Sequence, residues 1–582
     1  MVLVPRHPAP PASALLECTT GLYAVPFMSN PSSRTAGVIG YLLEQPTPGA
    51  GSWVPTSLRR HPKANLVVAA ALIGLVIRLA TLIAAGHLTG SWEYDDAVYF
   101  GSAIRLVHGA IPYRDFVLIQ PPGVPLLLAP IALLSYPLGT HDALEIARLA
   151  VLVVSFANVL LLGRLLRHRS PLVIAVACLG LALYPDAILA SSALLLEPFL
   201  NLFCLIGLVL IFERDRLSDL QSRVFWSGVA FGMAGTMKSW AILPVAILFL
   251  MLIGRRPLRA VSFVLGNAAG LLVLCLPFLL MAPVAFIHQV AVDQLSRTGQ
   301  AGLPLIDRLE FMTSVWPGLG VPGGHLYKLL AVGSALAIVI VVGAAFLWRW
   351  NAAPQATQSA RLPRLRPSTL EAFAIVSVLV IGVALSWPPD FFYHYAAFLA
   401  PFLALLLGLS VSRLAFFWPK QVMALTAIVC LLAGLHALAI PVLLQRAADP
   451  SSAIAAVIPA GSCVVTDDSE FTLNANRFVS SSPTCPAMVD ALGTTISISS
   501  SQDPASPPAQ AAAPVWLGMF ERADYLVLTP LSYLRIPWNL SLEAYIQAHF
   551  APVLDSPVLV LQRVSPGSPH PPFALPSLPV SG

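Results

Sequence analysis

Long apolar blocks separated by short polar stretches run along the chain from about residue 64 to residue 445. Most of them approach the length of about 20 residues with which an α-helix crosses the hydrocarbon core of a bilayer. No internal repeat relates one part of this pattern to another. We therefore predict about eleven membrane-spanning helices, at 64–86, 143–166, 171–190, 193–213, 224–238, 240–253, 259–283, 327–350, 369–387, 393–411 and 421–445.

Residues 120–139 are also apolar, but prolines interrupt them repeatedly. Proline lacks the backbone N–H donor, so prolines at this density disrupt a regular spanning helix. If the segment does not cross, the arginine-rich loops all fall on one side, which the positive-inside rule identifies as the cytoplasm. We therefore predict a re-entrant or surface element. The opposite side then receives 87–142, 184–197, 238–240, 284–326, 387–394 and everything after 445.

The two ends of the chain differ from this apolar middle. Residues 1–60, rich in Pro, Ser, Gly and Ala, are predicted to be a disordered cytoplasmic leader. Beyond 445, strand patterns occur at 461–468, 523–528 and 551–564, and 541–550 has the pattern of an amphipathic helix. We predict an α-helical polytopic membrane protein with a small α/β extracytoplasmic C-terminal domain. Its parts are a transmembrane domain at 61–445, an α/β domain at 446–564 with a long loop at 497–514, and a disordered tail at 565–582.

Composition supports a membrane protein and excludes a soluble one. Hydrophobic residues make up 57% of the 582 residues and charged residues only 10%, whereas soluble domains carry about 25% charged residues. The net charge of +5 is small, and the basic residues lie between apolar blocks, so we expect no nucleic-acid partner. Cys463 and Cys485 lie in the polar C-terminal part, where an oxidising compartment would allow a disulfide, but the sequence leaves this pairing open.

Three carboxylates follow the first predicted span, in SWEYDDAVYFGSAIRLVHGAIPYRDF (91–116). They are Glu93, Asp95 and Asp96. Apolar residues recur behind them at helical spacing, which predicts an amphipathic helix at the membrane surface with Asp95 and Asp96 in its first turn. Two interpretations stay open: the acids cap this helix and face water, or they belong to a functional site.

Charged residues also interrupt the apolar blocks. Glu197, in SSALLLEPFL, is costly near a bilayer, so it is either solvated at the interface or faces the Asp95 loop. Lys238, in FGMAGTMKSWAILPV, either snorkels to the interface or contacts an anionic headgroup. The predicted outer loops also hold His288, Arg297 and His394, of which the two histidines are weak candidates.

Other classes of chemistry lack their motifs in this sequence. The histidines and cysteines do not have the spacing of a zinc site. There is no Gly-Lys-Ser/Thr loop that would cradle phosphates and no nucleophile-elbow motif. ATP-driven chemistry therefore has no support.

Four motifs follow one another in the membrane part: WEYDDAVYFGSAIRLVHGAIPYRD with QPPG, then LLLEP (194–198), TMKSW (236–240) and YHYAAFLAP (393–401). Their order and spacing over about 64–445 resemble those of the GT-C glycosyltransferases of the protein O-mannosyltransferase and lipid A aminoarabinose transferase type. The C-terminal CVVTDD, ANRF and CPAMVDALGT are similar to actinobacterial members with an outer soluble domain. Asp96, Ser239 and His394 depart from the family's usual Glu, Gly and Arg.

This resemblance implies an inverting transfer of a sugar, of the mannose or pentose type, from a polyprenyl-phosphate donor in the cell membrane to an extracytoplasmic glycan or protein. Asp95 would accept the proton of the acceptor hydroxyl. Lys238 would stabilise the departing phosphate, assisted by Arg114, Arg297 or His394. Asp96 and Glu197 would orient the acceptor, the base or a divalent cation such as Mg²⁺ or Mn²⁺. Further substrate-binding residues would be Tyr99, Asp115, His288 and Tyr393.

Two other functions remain open at this point. One is a transporter or flippase of lipid-linked sugars, which should carry charged residues near the bilayer midplane on several helices. The other is a non-catalytic membrane protein that binds envelope glycan. The clearest acids cluster at one predicted face, which favours a one-sided active site over a transport path.

Overall fold

The computed structural model describes residues 62–254, 256–296, 302–316, 323–347, 367–444, 446–447, 449–501 and 508–576. These residues belong to one compact unit that is mostly helical, with a small sheet in its C-terminal part. The predicted leader at 1–60 lies outside the described residues.

The membrane part is built from helices joined by short turns. A two-stranded ribbon of β1 (Phe212–Glu213) and β2 (Arg216–Leu217) joins α8 to α9. The helices are α1 (Pro62–Ala84), α2 (Tyr94–Val107), α3 (Gly123–Ala132), α4 (Ser135–Leu138), α5 (Thr140–Leu165), α6 (Pro171–Ala182), α7 (Pro185–Leu189), α8 (Leu196–Ile211), α9 (Gln221–Met237), α10 (Ile242–Ile253), α11 (Pro257–Met281), α12 (Pro283–Ile287), α13 (Asp293–Ser296), α14 (Leu305–Met312), α15 (His325–Phe346), α16 (Thr369–Ser386), α17 (Ala396–Phe417) and α18 (Pro419–Leu443).

Seven of the described helices are long and apolar enough to cross a bilayer: α1, α5, α11, α15, α16, α17 with the turn before it, and α18. The chain is therefore a multi-pass membrane protein. The remaining predicted spans correspond to shorter helices. The prediction of one helix at 171–190 is wrong, because α6 ends at Ala182 and α7 starts anew at Pro185, a residue that cannot donate a backbone hydrogen bond to the preceding turn.

The proline-rich segment 120–139 forms two short helices and no regular spanning helix; its predicted re-entrant or surface position stays a prediction. α3 has 10 residues, which at the α-helical rise corresponds to about 15 Å, half of the roughly 30 Å hydrocarbon core. α3 begins at Gly123, directly against the end of α9. A Cβ atom at Gly123 would lie 2.5 Å from the backbone oxygen of Thr236. Glycine at this position therefore allows α3 to pack closely against Thr236, two residues before Lys238.

A reciprocal set of glycines joins α9 to α11. Gly228 and Gly232 lie four residues apart on α9, and Gly266 and Gly270 lie four residues apart on α11. Each glycine lies directly against backbone atoms of the other helix, so that a Cβ atom at any of them would collide with main chain. Small residues at this spacing allow close helix contact within membranes. This contact fixes α9, whose end carries Lys238.

The C-terminal part has the predicted α/β character. β3 (Val464–Thr466) runs parallel to β4 (Tyr525–Leu528), which pairs antiparallel with β6 (Leu559–Arg563), and β6 pairs antiparallel with β5 (Phe550–Leu554). Helices pack around this sheet over a core that includes Trp516, Phe520 and Ile546. They are α19 (Ser451–Val457), α20 (Ser469–Asn474), α21 (Ala491–Ser501), α22 (Pro508–Phe520), α23 (Ser532–Arg535) and α24 (Leu540–His549).

Two C-terminal predictions need correction. The segment 497–514, predicted as a long loop, is helical where it is described, since α21 continues to Ser501 and α22 begins at Pro508. Residues 565–576, predicted as part of a disordered tail, pack against the domain: the side chain of Phe573 lies against its core, and Gln547 Nε2 donates to the Phe573 carbonyl at 3.0 Å. The final residues, 577–582, lie outside the described residues.

Candidate active site

A cavity of about 400 Å³ lies where the membrane part meets the C-terminal part. The start of α2, Lys238 and the turn before α17 line one portion of it, and segments near 490–493 and 531–535 line another. The cavity therefore depends on both parts of the chain. Its polar lining residues are Glu93, Tyr94, Asp95, Tyr99, Gln120, Lys238, Tyr393, His394, Tyr395, Asp490 and Arg535.

Asp95 enters the cavity from the first turn of α2. Glu93 precedes the helix in an extended conformation, which turns the chain at this point. The Asp95 side chain keeps 27% of its surface exposed, and Tyr99, one helical turn later, donates from its hydroxyl to Asp95 Oδ2 over 3.4 Å. The carboxylate thus combines access to the cavity with a position fixed by the helix, which suits a proton acceptor.

Behind Asp95, three further charged or titratable side chains contact one another in a row. His394 Nε2 lies 4.0 Å from Asp95 Oδ2, and His394 Nδ1 lies 3.0 Å from Glu197 Oε2. Lys238 Nζ then donates to Glu197 Oε1 at 2.6 Å. Glu197 is fully buried in the first turn of α8, where the helix dipole favours a negative charge. Asp95, Glu197 and Lys238, predicted to converge, therefore lie in one connected cluster.

The ammonium of Lys238 lies against aromatic faces. Its Nζ is 4.0 Å from the centroid of the Tyr395 ring and 4.5 Å from that of Trp240, distances at which a cation is attracted by an aromatic ring. The backbone of Lys238 is extended, between the end of α9 and the turn at Ser239–Ala241. Lys238 itself lines the cavity, whereas its partner Glu197 does not.

Asp96 occupies a different environment from Asp95. It is fully buried; its Oδ2 accepts from Arg148 Nε at 2.7 Å and its Oδ1 from the Leu194 backbone N–H at 2.5 Å. Arg148 Nη2 also contacts Glu470 Oε1 at 2.5 Å. Asp96 thus ties α2 to α5 and, through Arg148, to the C-terminal part, and it does not line the cavity. It was predicted to orient the acceptor, the base or a divalent cation, and this position gives it no contact with an acceptor in the cavity.

The predicted cation ligands do not fit a divalent metal. Both oxygens of Asp96 face N–H donors, and those of Glu197 face Lys238 and His394. Metal ions instead require carboxylate oxygens that point to a common centre. Among the residues that the structure describes, no group of three His, Cys, Asp or Glu side chains could hold a metal ion.

Several other predicted site residues lie apart from the cavity lining. Arg114 is exposed and pairs with its neighbour Asp115 at 2.8 Å, and His288 lies 3.2 Å from Asp293. Arg297 lies outside the described residues. Tyr99 and Tyr393, by contrast, line the cavity.

The residues that line the C-terminal side of the cavity were not predicted from the sequence. Tyr94 donates from its hydroxyl to Asp490 Oδ1 at 2.7 Å, and the Arg535 guanidinium lies 4.2 Å from the centre of the Tyr94 ring. Arg535 is itself held by Asp467 and Asp468. The two contacts of Tyr94 join residues about 400 or more positions apart, for which the sequence carries no local signal.

Cys463 and Cys485, whose pairing the sequence left open, are joined by a disulfide.

Arg148 could have been singled out from the sequence, because an arginine inside an apolar span is costly unless it has a partner. Its partner Glu470 has no comparable signal.

No protein-family model matches the sequence, and a search of the curated proteins finds no match. Solved structures are similar in fold. ArnT from Cupriavidus metallidurans in the apo state aligns with 86% of this chain and 98% of its own, at 13% identity and a TM-score of 0.55. The same protein bound to undecaprenyl phosphate aligns with 88% of this chain and 100% of its own, at 14% identity and a TM-score of 0.53.

A weaker similarity is found to the archaeal oligosaccharyltransferase AglB from Archaeoglobus fulgidus, at 11% identity and a TM-score of 0.44, over 88% of this chain and 75% of that one. The fold assignment rests on the ArnT structures, which are matched over nearly their entire length. The chain therefore shares its fold with the ArnT structures.

Proposed function

We propose that the chain is a membrane glycosyltransferase that moves a sugar, of the mannose or pentose type, from a polyprenyl-phosphate donor to a hydroxyl of an extracytoplasmic glycan or protein, with inversion. The observation that carries this proposal is the cavity that Asp95, Lys238 and His394 line together. It combines a proton acceptor with a cation, as transfer from a sugar phosphate requires. The ArnT structure bound to undecaprenyl phosphate supports a polyprenyl carrier.

In the proposed reaction Asp95 accepts the proton of the acceptor hydroxyl while that oxygen attacks the anomeric carbon. The bond between this carbon and the phosphate oxygen breaks, and attack from the opposite face inverts the configuration. Lys238 lies beside the departing phosphate and stabilises its negative charge. Its contact with Glu197, at 2.6 Å, keeps the ammonium in position.

His394 and Glu197 act behind these two groups. His394 lies between Asp95 and Glu197, at 4.0 Å and 3.0 Å, so it can keep the proton acceptor and the buried carboxylate in a fixed relation. Glu197 is fully buried and does not line the cavity. Of the three roles that the sequence left open, which were to orient the acceptor, the base or a divalent cation, we therefore assign it that of positioning the base.

The test is transfer of radiolabelled sugar from polyprenyl-phosphate mannose and polyprenyl-phosphate arabinose in membranes that contain the protein, with products separated into protein and glycan. We expect Asp95→Asn to lower the transfer rate by about 10²–10⁴-fold, the usual contribution of a positioned acid or base. Donor binding should persist, because the asparagine preserves the shape of the side chain.

Asp142→Asn is the matched control, since Asp142 lies in the same predicted outer segment, 87–142, but is exposed and does not line the cavity. It should transfer sugar at the wild-type rate. Full activity of Asp95→Asn would refute the assignment of the base. Movement of lipid-linked sugar across the membrane of vesicles that contain the protein, without sugar transfer, would instead favour a transporter. Binding of glycan without transport or transfer would favour a binding protein.

A further inference from the structure

Glu93 lines the cavity together with Asp95, although the reaction above gives it no role. Its Oε2 accepts from the Tyr393 hydroxyl at 2.6 Å, and its backbone N–H donates to Glu470 Oε2 at 3.2 Å. The carboxyl is thus anchored to the turn before α17, and the backbone of the same residue is anchored to the C-terminal part. A side chain anchored in this way and facing the cavity has the geometry of a binding residue.

We propose that Glu93 binds the donor in its neutral, protonated form, donating a hydrogen bond to a phosphate or hydroxyl oxygen of the sugar phosphate. This inference rests on the proposed function. Tyr393 donates to Oε2, so the retained proton lies on Oε1. A neutral carboxylic acid can approach an anionic donor, whereas a second carboxylate next to Asp95 would repel it.

The surroundings of Glu93 favour the neutral form. Burial and the charge of Asp95, with a smaller effect of Asp96, raise the pKa of Glu93 to about 8, while the hydrogen bond from Tyr393 lowers it in part. Glu470 faces it from α20, where one carboxyl oxygen accepts from the Glu93 backbone N–H and the other contacts Arg148. The other charged or titratable groups in the cavity lining are Tyr94, Tyr99, Lys238, His394, Tyr395, Asp490 and Arg535.

The experiment is the pH dependence of kcat/KM for the donor between pH 6 and 10, measured with the full-length protein in detergent. Wild-type kcat/KM should fall about tenfold per pH unit above about pH 8, because ionised Glu93 no longer donates and repels the phosphate. Glu93→Gln retains an N–H donor and cannot ionise. We expect the alkaline decline to be absent from its pH profile, whatever its activity at neutral pH.

Tyr393→Phe provides a second test, which does not depend on the folding of Glu93→Gln. Removal of the hydroxyl that lowers the pKa of Glu93 should move the alkaline decline to higher pH. An unchanged decline in both variants would overturn the inference while leaving the proposed function intact. Absence of transfer by the wild-type protein at every pH would instead refute the proposed function.

Discussion

Glu197 and Lys238 show how a single residue in this site depends on another. Both side chains are almost completely buried, and their charged atoms lie 2.6 Å apart. The sequence marked each of them as a charge within an apolar run but could not show that they are partners. Truncating one member of a buried pair leaves the other charge uncompensated, at a cost of about 3–5 kcal/mol.

We therefore expect Lys238→Met to lower the free energy of unfolding by about 3–5 kcal/mol, measured by thermal unfolding in detergent. The double variant Glu197→Gln with Lys238→Met should recover part of this loss, because it removes the uncompensated carboxylate. Lys328→Met is the matched control, since Lys328 pairs with Asp307 but keeps 33% of its side chain exposed, and it should cost at most about 1 kcal/mol. Additive losses in the double variant would contradict the pairing.

The sequence identified part of the candidate site for a physical reason. Asp95, Lys238 and His394 interrupt apolar or amphipathic patterns, and such interruptions can be seen in one dimension. Arg114 and His288 were also predicted as site residues, but they pair with nearby acids and do not line the cavity. The roles of all these residues remain predictions until variants are measured.

At the scale of helices, hydrophobic length and prolines predicted most elements. The break between α6 and α7 was missed, since the apolar pattern continues across Pro185. The contact between α9 and α11 was missed as well, because a pair of glycines on one helix does not show which other helix packs against it. Gly232 meets the backbone near Asn267, and Gly270 meets that near Val229.

Gly232→Leu should separate α9 from α11, since its side chain would collide with main chain that cannot rotate away. We expect a loss of about 1–3 kcal/mol of unfolding free energy from this overpacking, together with lower transfer activity because α9 carries Lys238 at its end. Gly333→Leu on α15 is the control, since no atom lies within 4 Å of a Cβ there. Equal stability of the two variants in a thermal melt would contradict the close contact.

At the scale of the whole molecule, the C-terminal part is tied to the membrane part by buried polar contacts. Arg148 on α5 contacts both Asp96 and Glu470, and Asn474 Nδ2 donates to Ser91 Oγ at 2.7 Å. The sequence predicted an α/β domain after the last span, and the sheet agrees with it. Its attachment to the first loop was beyond prediction, because none of these contacts is local.

The proposed orientation has a direct test in intact cells. Leu540→Cys, at a residue that is 85% exposed on the C-terminal part, should react with a membrane-impermeant maleimide added outside, in a background that keeps only the disulfide cysteines. Arg167→Cys, in an exposed loop predicted to be cytoplasmic, should react only after permeabilisation. The opposite labelling pattern would show that the predicted topology is wrong and that the C-terminal part faces the cytoplasm.

Asp490 and Arg535 follow the last membrane helix in the chain, yet they line the same cavity as Asp95. During synthesis the ribosome delivers the acid and the lysine to the bilayer hundreds of residues before these two are made. This cavity is therefore incomplete until the C-terminal part has been synthesised. A nascent chain stalled after residue 445 would hold Asp95 and Lys238 without the wall that Asp490 and Arg535 supply, so we expect the proposed activity to begin only after the C-terminal part has been made and has folded.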